Sequence, residues 1–335
     1  MKKIIKNVFK KTAVVCVALL SFGAVSVVSA ETIKVAGIYT QPIQQKWDAR
    51  LHTALLKAQK AGEVEYVFSE KVSNADYARV MRQYAENGVD LIIGEAFGIG
   101  REARKVAKAY PEVAFLMGDP FKADLENYSV FDNYIHEPCY LMGMIAGSLT
   151  KTNKIGMVGG YPIGEVNRLF NAFMAGAKSV NSAVEFKVNF IGSWYDPPKA
   201  KEASFAQIES GVDILFAERA GVVDAAREKG ILAFGNVNDM NIEEKGQGVV
   251  VTSALWNMDN AIAHAVKRVK EKSFKGEDYR EWTMMAKGGA MLAPYHDMES
   301  VVSAEMKSQV NAKSAAILAG DYTVEINDEK PKSSF

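Results

Sequence analysis

Two short stretches of the sequence place aromatic and charged residues directly after apolar segments. Trp194, Tyr195 and Asp196 follow VEFKVNFIGS, and Glu218 and Arg219 follow VDILFA. Carboxylates accept hydrogen bonds, a guanidinium group donates them, and a tryptophan ring offers a flat face for stacking. Such groups directly after apolar segments are suited to holding a ligand by non-covalent contacts.

The sequence contains few patterns that are typical of catalysis or metal binding. The histidines show no metal-ligand spacing, and there is no Gly-x-Ser-x-Gly segment or Cys–His constellation. The glycine-rich stretch GEAFGIG (94–100) lacks the Lys-Ser/Thr of a phosphate loop and the spacing of a dinucleotide fingerprint. We therefore expect no catalytic residues, no metal and no cofactor, and an exported α/β enzyme is the least favoured alternative.

Short apolar runs alternate with helical segments through nearly the whole chain. IKVAGIYT (33–40), VDLIIGEA (89–96) and VAFLMGD (113–119) are such runs, and helix-like segments at 47–62 and 74–88 separate the early ones. Because the runs are apolar throughout, they predict parallel strands buried on both faces. The alternation indicates an α/β fold with doubly wound parallel sheets.

The pattern starts again near residue 152, which predicts two similar lobes with a hinge. ENGVDLIIGEA (86–96) and ESGVDILFAER (209–219) share a Glu, a Gly-Val-Asp and a second Glu, so that Glu95 corresponds to Glu218. The alternative is that any two strand–helix units look alike. We assign residues 31–150 and about 252–288 to an N-terminal lobe, and residues 151–251 and about 289–335 to a C-terminal lobe.

Ligands of open parallel sheets bind outside the carboxyl ends of the strands. Carboxylates there would select a ligand rich in N–H or O–H donors, and Arg219 would either orient Glu218 or reach a ligand carbonyl. Gly289 would bring backbone close to the ligand, although a turn with positive φ explains that glycine equally well. The candidate residues reached from strand ends are Tyr39, Gln41, Glu95, Phe97, Trp194, Asp196, Glu218, Arg219, Asn236 and Asp239.

The first thirty residues have the pattern of a secretory signal peptide. Five lysines precede the apolar segment 12–28, and small residues permit cleavage after Ala30. A membrane anchor is the alternative, but the apolar run is short for a span. Loss of the five lysines from 40 basic residues leaves 35 against 40 acidic ones, which argues against nucleic acid or an anionic membrane as partner. Cys139 then has no disulfide partner, and we expect its thiol to be buried.

Six segments, taken together in their order and spacing, resemble a known family. They are EPCYLMGMIAGSLTK (137–151), YPIGEVNRLFNAFMAGAKSVN (161–181), GSWYDPPK (192–199), GVDILF (211–216), AFGNVNDM (233–240) and MMAKGGAMLAPY (284–295). The chain resembles the basic membrane protein family of periplasmic solute receptors, which includes purine-nucleoside receptors. The resemblance implies two α/β lobes joined by crossover strands, a type I periplasmic binding protein. It also implies a small-molecule ligand and an ABC importer permease as partner, and we expect a periplasmic monomer.

The resemblance further implies a closing cleft that stacks a flat ring between aromatic side chains. Trp47, Phe97 and Trp194 fit that role, and Trp256 would either join them from the hinge side or belong to the core. Nucleoside receptors commonly continue the first strand with Asp-Asp or Asp-Lys and then Ser-Phe-Asn, whereas this sequence has YTQPIQQKW (39–47).

The acidic residue that holds ribose hydroxyls in the family is also not evident near Trp256. A free purine base or another small heterocycle therefore agrees with the sequence at least as well as a nucleoside. A receptor of the same fold for a sugar or a cationic metabolite, or one serving a signalling partner, is the alternative.

Overall fold

A computed structural model describes residues 32–335; the predicted leader and its cleavage after Ala30 lie outside this range. The first sheet contains β1 (Ile33–Ile38), β2 (Val64–Ser69), β3 (Leu91–Glu95), β4 (Ala114–Gly118) and β5 (Tyr128–Phe131). Helices α1 (Lys46–Lys60), α2 (Asn74–Glu86) and α3 (Gly100–Ala109) connect its strands. The strand order is β2-β1-β3-β4-β5, and every pairing is parallel.

The second sheet contains β6 (Lys154–Gly159), β7 (Glu185–Phe190), β8 (Ile214–Ala217), β9 (Leu232–Val237), β10 (Val250–Trp256) and β11 (Ala290–Leu292). Its order is β11-β10-β9-β8-β6-β7, and only the β10–β11 pairing among these strands is antiparallel. The remaining helices are α4 (His136–Leu149), α5 (Gly164–Val180), α6 (Pro197–Glu209), α7 (Val222–Lys229), α8 (Met240–Glu243), α9 (Asp259–Lys270) and α10 (Ala304–Ala319).

The predicted doubly wound α/β architecture is confirmed, and its cause is visible in the strands. The middle residues of β3, β4 and β8 are buried on both faces, because helices cover each side of the sheets. The sequence alone suggests Asn74 as the N-cap of α2. In the structure Ser73 is the N-cap, since its Oγ accepts a hydrogen bond from Asp76 N at 3.2 Å.

Two lobe boundaries in the structure differ from those assigned from the sequence. Strand β10 pairs with β9, so residues from about 252 to 256 belong to the second sheet and not to the first lobe. Helix α4 packs on α5, although residues before 151 were assigned to the first lobe. Glycine permits this close crossing, because a Cβ on Gly143 would lie 2.0 Å from the carbonyl oxygen of Phe173.

The chain passes between the sheets at residues 132–135, again at 257–258 and again at 284–289. Helix α9 follows the second passage and packs on α1 and β1 of the first sheet. An ion-pair network fixes the first passage: Arg168 Nη1 lies 2.8 Å from Asp132 Oδ2, and Arg168 Nε lies 2.8 Å from Asp328 Oδ1. Cys139, on α4, is buried as expected.

Candidate functional site

A cavity of about 360 Å³ lies between the carboxyl ends of the two sheets. The residues that line it come from both sheets, as the strand-end rule predicts for a ligand site. Those on the first-sheet side are Thr40, Gln41, Gln45, Trp47, Val72, Ser73, Asn74, Glu95, Phe97 and Gly98, and those on the second-sheet side are Ile163, Glu165, Trp194 and Arg219.

Aromatic rings form two walls of this cavity. On the first-sheet side, Trp47 packs edge-to-face on Phe97, with ring centroids 5.8 Å apart. It is supported from behind by Phe131, which stacks on it at 5.9 Å, and by Trp256 at 4.9 Å. Because these neighbours are buried, the indole plane of Trp47 is held in one orientation.

The opposite wall is the ring of Trp194, which follows β7. Tyr161 packs against it with ring centroids 4.8 Å apart, and the guanidinium of Arg219 lies 5.2 Å from its ring centroid. Arg219 Nη1 also donates to the carbonyl oxygen of Trp194 at 2.6 Å. These contacts position a second flat surface in the cavity.

Glu165 joins the two sides of the cavity and was not predicted from the sequence. It lies in the first turn of α5, and its Oε1 accepts a hydrogen bond from Trp47 Nε1 at 2.9 Å. Burial raises the pKa of its carboxyl to about 8, and the nearby charges of Asp132 and Glu218 add to the rise. The carboxyl group of Glu165 therefore holds its proton to a higher pH than a solvated glutamate does.

Glu95 reaches the cavity from the end of β3, as expected. One of its oxygens accepts a hydrogen bond from Thr40 Oγ1. Burial raises the pKa of Glu95, and burial together with the charge of Glu95 raises the pKa of the neighbouring Asp48 well above its usual range. Asp48 is 1% exposed, and neither of its carboxylate oxygens has a hydrogen-bond partner among residues 32–335.

The Glu218–Arg219 pair has the first of the two roles considered for it. Arg219 Nε donates to Glu218 Oε2 at 2.8 Å, and Gly160 N donates to the same oxygen at 2.9 Å. Glu218 thus faces an adjoining hollow of about 210 Å³ rather than the main cavity. That hollow also contains Asn236, whose Oδ1 has no hydrogen-bond partner among the described residues.

Three further residues predicted for the site from strand ends lie elsewhere. The Oη of Tyr39 is 2.7 Å from that of Tyr66, and the ring is buried within the first lobe. Asp196 caps α6 by accepting from Lys199 N at 3.1 Å. The Oδ2 of Asp239 pairs at 2.6 Å with the ring of a histidine near the C-terminus, His296.

Two residues from the returning segment also lie outside the lining of the cavity. Trp256 is 2% exposed and packs behind Trp47, so it has the core role that was considered for it. Gly289 serves the chain passage, since its carbonyl accepts from Asn257 N at 2.8 Å. A Cβ there would lie 2.1 Å from the carbonyl oxygen of Trp282. Close backbone approach explains this glycine, and a positive φ does not.

The sequence contained signals for some of the residues that were missed. Thr40 and Gln45 lie in the loop after β1, close to predicted positions, so the same strand-end rule could have found them. Glu165 lies in the first turn of α5 and carried no such signal. Within residues 32–335, no group of His, Cys, Asp and Glu has a metal-binding arrangement. No helix in this part of the chain is long and apolar enough to span a bilayer.

Two doubly wound sheets with a polar and aromatic cavity between their carboxyl ends define a type I solute-binding protein of the kind that serves ABC transporters. The family described as ABC transporter substrate-binding protein PnrA-like matches residues 33–328. The chain belongs to this family, as its six sequence segments indicated.

Several relatives are similar in sequence. TsgA13 of Haloferax volcanii, whose name suggests a glucose-binding protein of an ABC transporter, is 32% identical over 88% of this chain and 74% of its own. A purine-binding protein of Brucella abortus is 30% identical over 77% of this chain and 72% of its own. The nucleoside-binding protein BmpA of Lactococcus lactis is 31% identical, over 47% of this chain and 45% of its own.

Solved structures share the fold. A solute-binding protein of an ABC transporter from Conexibacter woesei covers 89% of this chain and 100% of its own, with a TM-score of 0.71 and 21% identity. A second, from Aeropyrum pernix, covers 88% of this chain and 94% of its own, with a TM-score of 0.72 and 18% identity. At these identities the likeness establishes the architecture only.

Proposed function

We propose that the protein is an exported receptor that captures a purine base or nucleoside and delivers it to an ABC importer permease. The observation that carries this proposal is the pair of aromatic walls, Trp47 with Phe97 on one side and Trp194 on the other. A flat ring between them gains stacking energy of about 0.5–1.5 kcal/mol per aromatic pair beyond the burial of its surface. The relatives named for purine and nucleoside binding support the same ligand class.

Capture works by hinge closure. The walls belong to different sheets, so a ligand that contacts both stabilises the closed arrangement relative to the open one. The polar groups on the cavity surface, among them Gln41, Glu95 and Asn74, then fix the orientation of the ring. No bond of the ligand is broken in this cycle.

A sugar receptor is the second candidate. Carboxylates and tryptophan also suit a pyranose ring, and one relative carries a name that suggests glucose. The purine proposal is favoured because aromatic side chains line the cavity from both sheets.

A thermal-shift screen of residues 31–335 with bases, nucleosides, sugars and amines tests the proposal. A ligand at about 100 times its Kd adds roughly 2.7 kcal/mol of stability, so a purine should raise Tm visibly. Phe97→Ala and Trp194→Ala should each weaken that shift, while Phe121→Ala, the same exchange at an exposed phenylalanine, should leave it unchanged. A shift with glucose and with no purine would replace the purine receptor by a sugar receptor.

A further inference from the structure

The cavity holds more acidic than basic groups. Glu95 and Glu165 line it, and the charges of both help to raise the pKa of Asp48. Of the described residues that line the cavity, Arg219 alone is cationic, and Glu218 already neutralises it. Among the described residues that line the cavity, no positive charge is therefore left unpaired.

Cations on the surrounding elements are also paired with acidic partners. On α1, Lys46 lies 3.2 Å from Glu244, and Arg50 lies 3.2 Å from Glu243. On α5, Arg168 is held between Asp132 and Asp328. None of these cations is left over to balance the carboxyl groups of the cavity.

The hydrogen-bonding capacity of the carboxyl groups is equally unfilled. Within residues 32–335, Glu165 receives one donor, from Trp47, and Glu95 receives one, from Thr40. Asp48 receives none on either oxygen, although it is buried. Asp48 does not line the cavity, but Glu95 and Glu165 do, so N–H donors of a ligand can reach the acceptor positions that these two leave open. Because a buried acceptor without a donor costs about 1–3 kcal/mol, such donors favour binding.

We propose that the ligand is bound as a cation: a flat nitrogen heterocycle of amidine type, held between the aromatic walls with its N–H donors on the acidic edge of the cavity. An amidine has an amino group beside a ring nitrogen that accepts a proton, so its protonated form presents adjacent donors. This inference rests on the proposed function for the flat ring and adds the charge and the donor pattern.

The proton balance follows from this assignment. At pH 9, which is above the pKa of about 8 of Glu165, its carboxyl group is largely ionised in the ligand-free protein, and a weakly basic ligand such as adenine carries no positive charge. The closed complex keeps one proton, which comes from the solvent and lies between the ring nitrogen and a carboxyl oxygen. The raised pKa values of Asp48, Glu95 and Glu165 in the closed cavity agree with this retention.

Isothermal titration of residues 31–335 with adenine at pH 9, in buffers of different ionisation enthalpy, measures the proton directly. We expect uptake of about one proton per ligand bound, as linkage requires for a group whose pKa rises on binding. Glu165→Gln should reduce the uptake, and Glu95→Gln serves as a second variant if the first folds poorly. Glu102→Gln, an exposed glutamate on α3, should not change it.

A pair of isosteric probes separates charge from shape. Benzamidine is a flat cation with adjacent N–H donors, and benzamide has the same outline without the charge. We expect benzamidine to raise Tm at millimolar concentration and benzamide to raise it at least tenfold less effectively. Equal responses to the two probes, or adenine binding without proton uptake, would overturn the inference while leaving the purine receptor intact. A response to benzamidine with none to any purine would instead remove the purine proposal.

Discussion

The indole Nε1 of Trp47 lies 2.9 Å from Glu165 Oε1, and this hydrogen bond joins α1 beside the first sheet to α5 beside the second. Because its two partners lie beside different sheets, the bond can form only when the two sheets approach each other. Trp47 thus has two roles. Its face forms one wall of the cavity, and its edge holds the opposite lobe.

Trp47→Phe tests the second role separately from the first. Phenylalanine keeps an aromatic face but cannot donate to Glu165, which leaves a buried acceptor without its donor. We expect the Kd for a purine to rise about tenfold, because the loss of such a bond costs about 1–2 kcal/mol. Isothermal titration measures the Kd, and Trp282→Phe, at a tryptophan that stacks on His264, is the matched control. An unchanged Kd would show that the bond contributes nothing to closure.

Ion pairs at the mouth of the cleft should make ligand affinity sensitive to salt. Lys46 and Arg50 on α1 face Glu243 on α8, at 3.5 Å and 3.2 Å, so these pairs also connect the two lobes. We expect Glu243→Gln to weaken binding by about two- to fivefold at low salt, since exposed pairs contribute up to about 1 kcal/mol. The difference should vanish near 1 M NaCl, where screening is strong. Glu305→Gln on α10 is the control, and a defect that persists at high salt would contradict the electrostatic explanation.

The fold could be predicted from sequence because it follows from local patterns. Apolar runs and capped helices specify strands and helices wherever they occur, and the repeat around Glu95 and Glu218 indicated two lobes. The lobe boundaries could not be read in this way. They depend on which sheet β10 joins and on which helix α4 crosses, and both are set by contacts between distant residues.

The site could be predicted at the level of strand ends but not of single side chains. Successive residues of an extended chain point to opposite faces, so Tyr39 turns into the core while Thr40 lines the cavity. The position of Glu165 at the cavity could not be predicted in this way, because it depends on where α5 starts relative to the first sheet. Asp196 carried a signal that was overlooked, because an Asp before Pro-Pro is typical of a helix N-cap.

Stability of the ligand-free protein should fall as the pH rises through the range in which Glu165 titrates. Its pKa is raised to about 8 in the folded protein, so the folded state binds this proton more tightly than the unfolded state. The stabilisation is complete below the unfolded pKa, near 4.5, and is lost as the pH rises to about 8.

Glu165→Gln should flatten this dependence. We expect the slope of the unfolding free energy between pH 5 and pH 8 to fall by up to about 1.4 kcal/mol per pH unit, which corresponds to one proton. Urea unfolding at several pH values measures the slope. Asp48 and Glu95 are shifted in the same direction, so a residual slope is expected in the variant. Identical slopes in the two proteins would mean that Glu165 is ionised in the folded state.

The ion pairs of Arg168 should contribute unequally to stability. We expect the pair with Asp132 to contribute far more than the pair with Asp328. The side chains of Arg168 and Asp132 are 4% and 5% exposed, whereas that of Asp328 is 52% exposed. Arg168→Met leaves Asp132 as an unpaired buried charge, and we expect a loss of about 3–5 kcal/mol at pH 8. Asp328→Asn should cost about 1 kcal/mol or less, because its pair is partly solvated. Urea unfolding compares the two variants. At pH 4 protonation of Asp132 should recover part of the loss in Arg168→Met, and a deficit that does not depend on pH would indicate lost packing against Tyr134 instead.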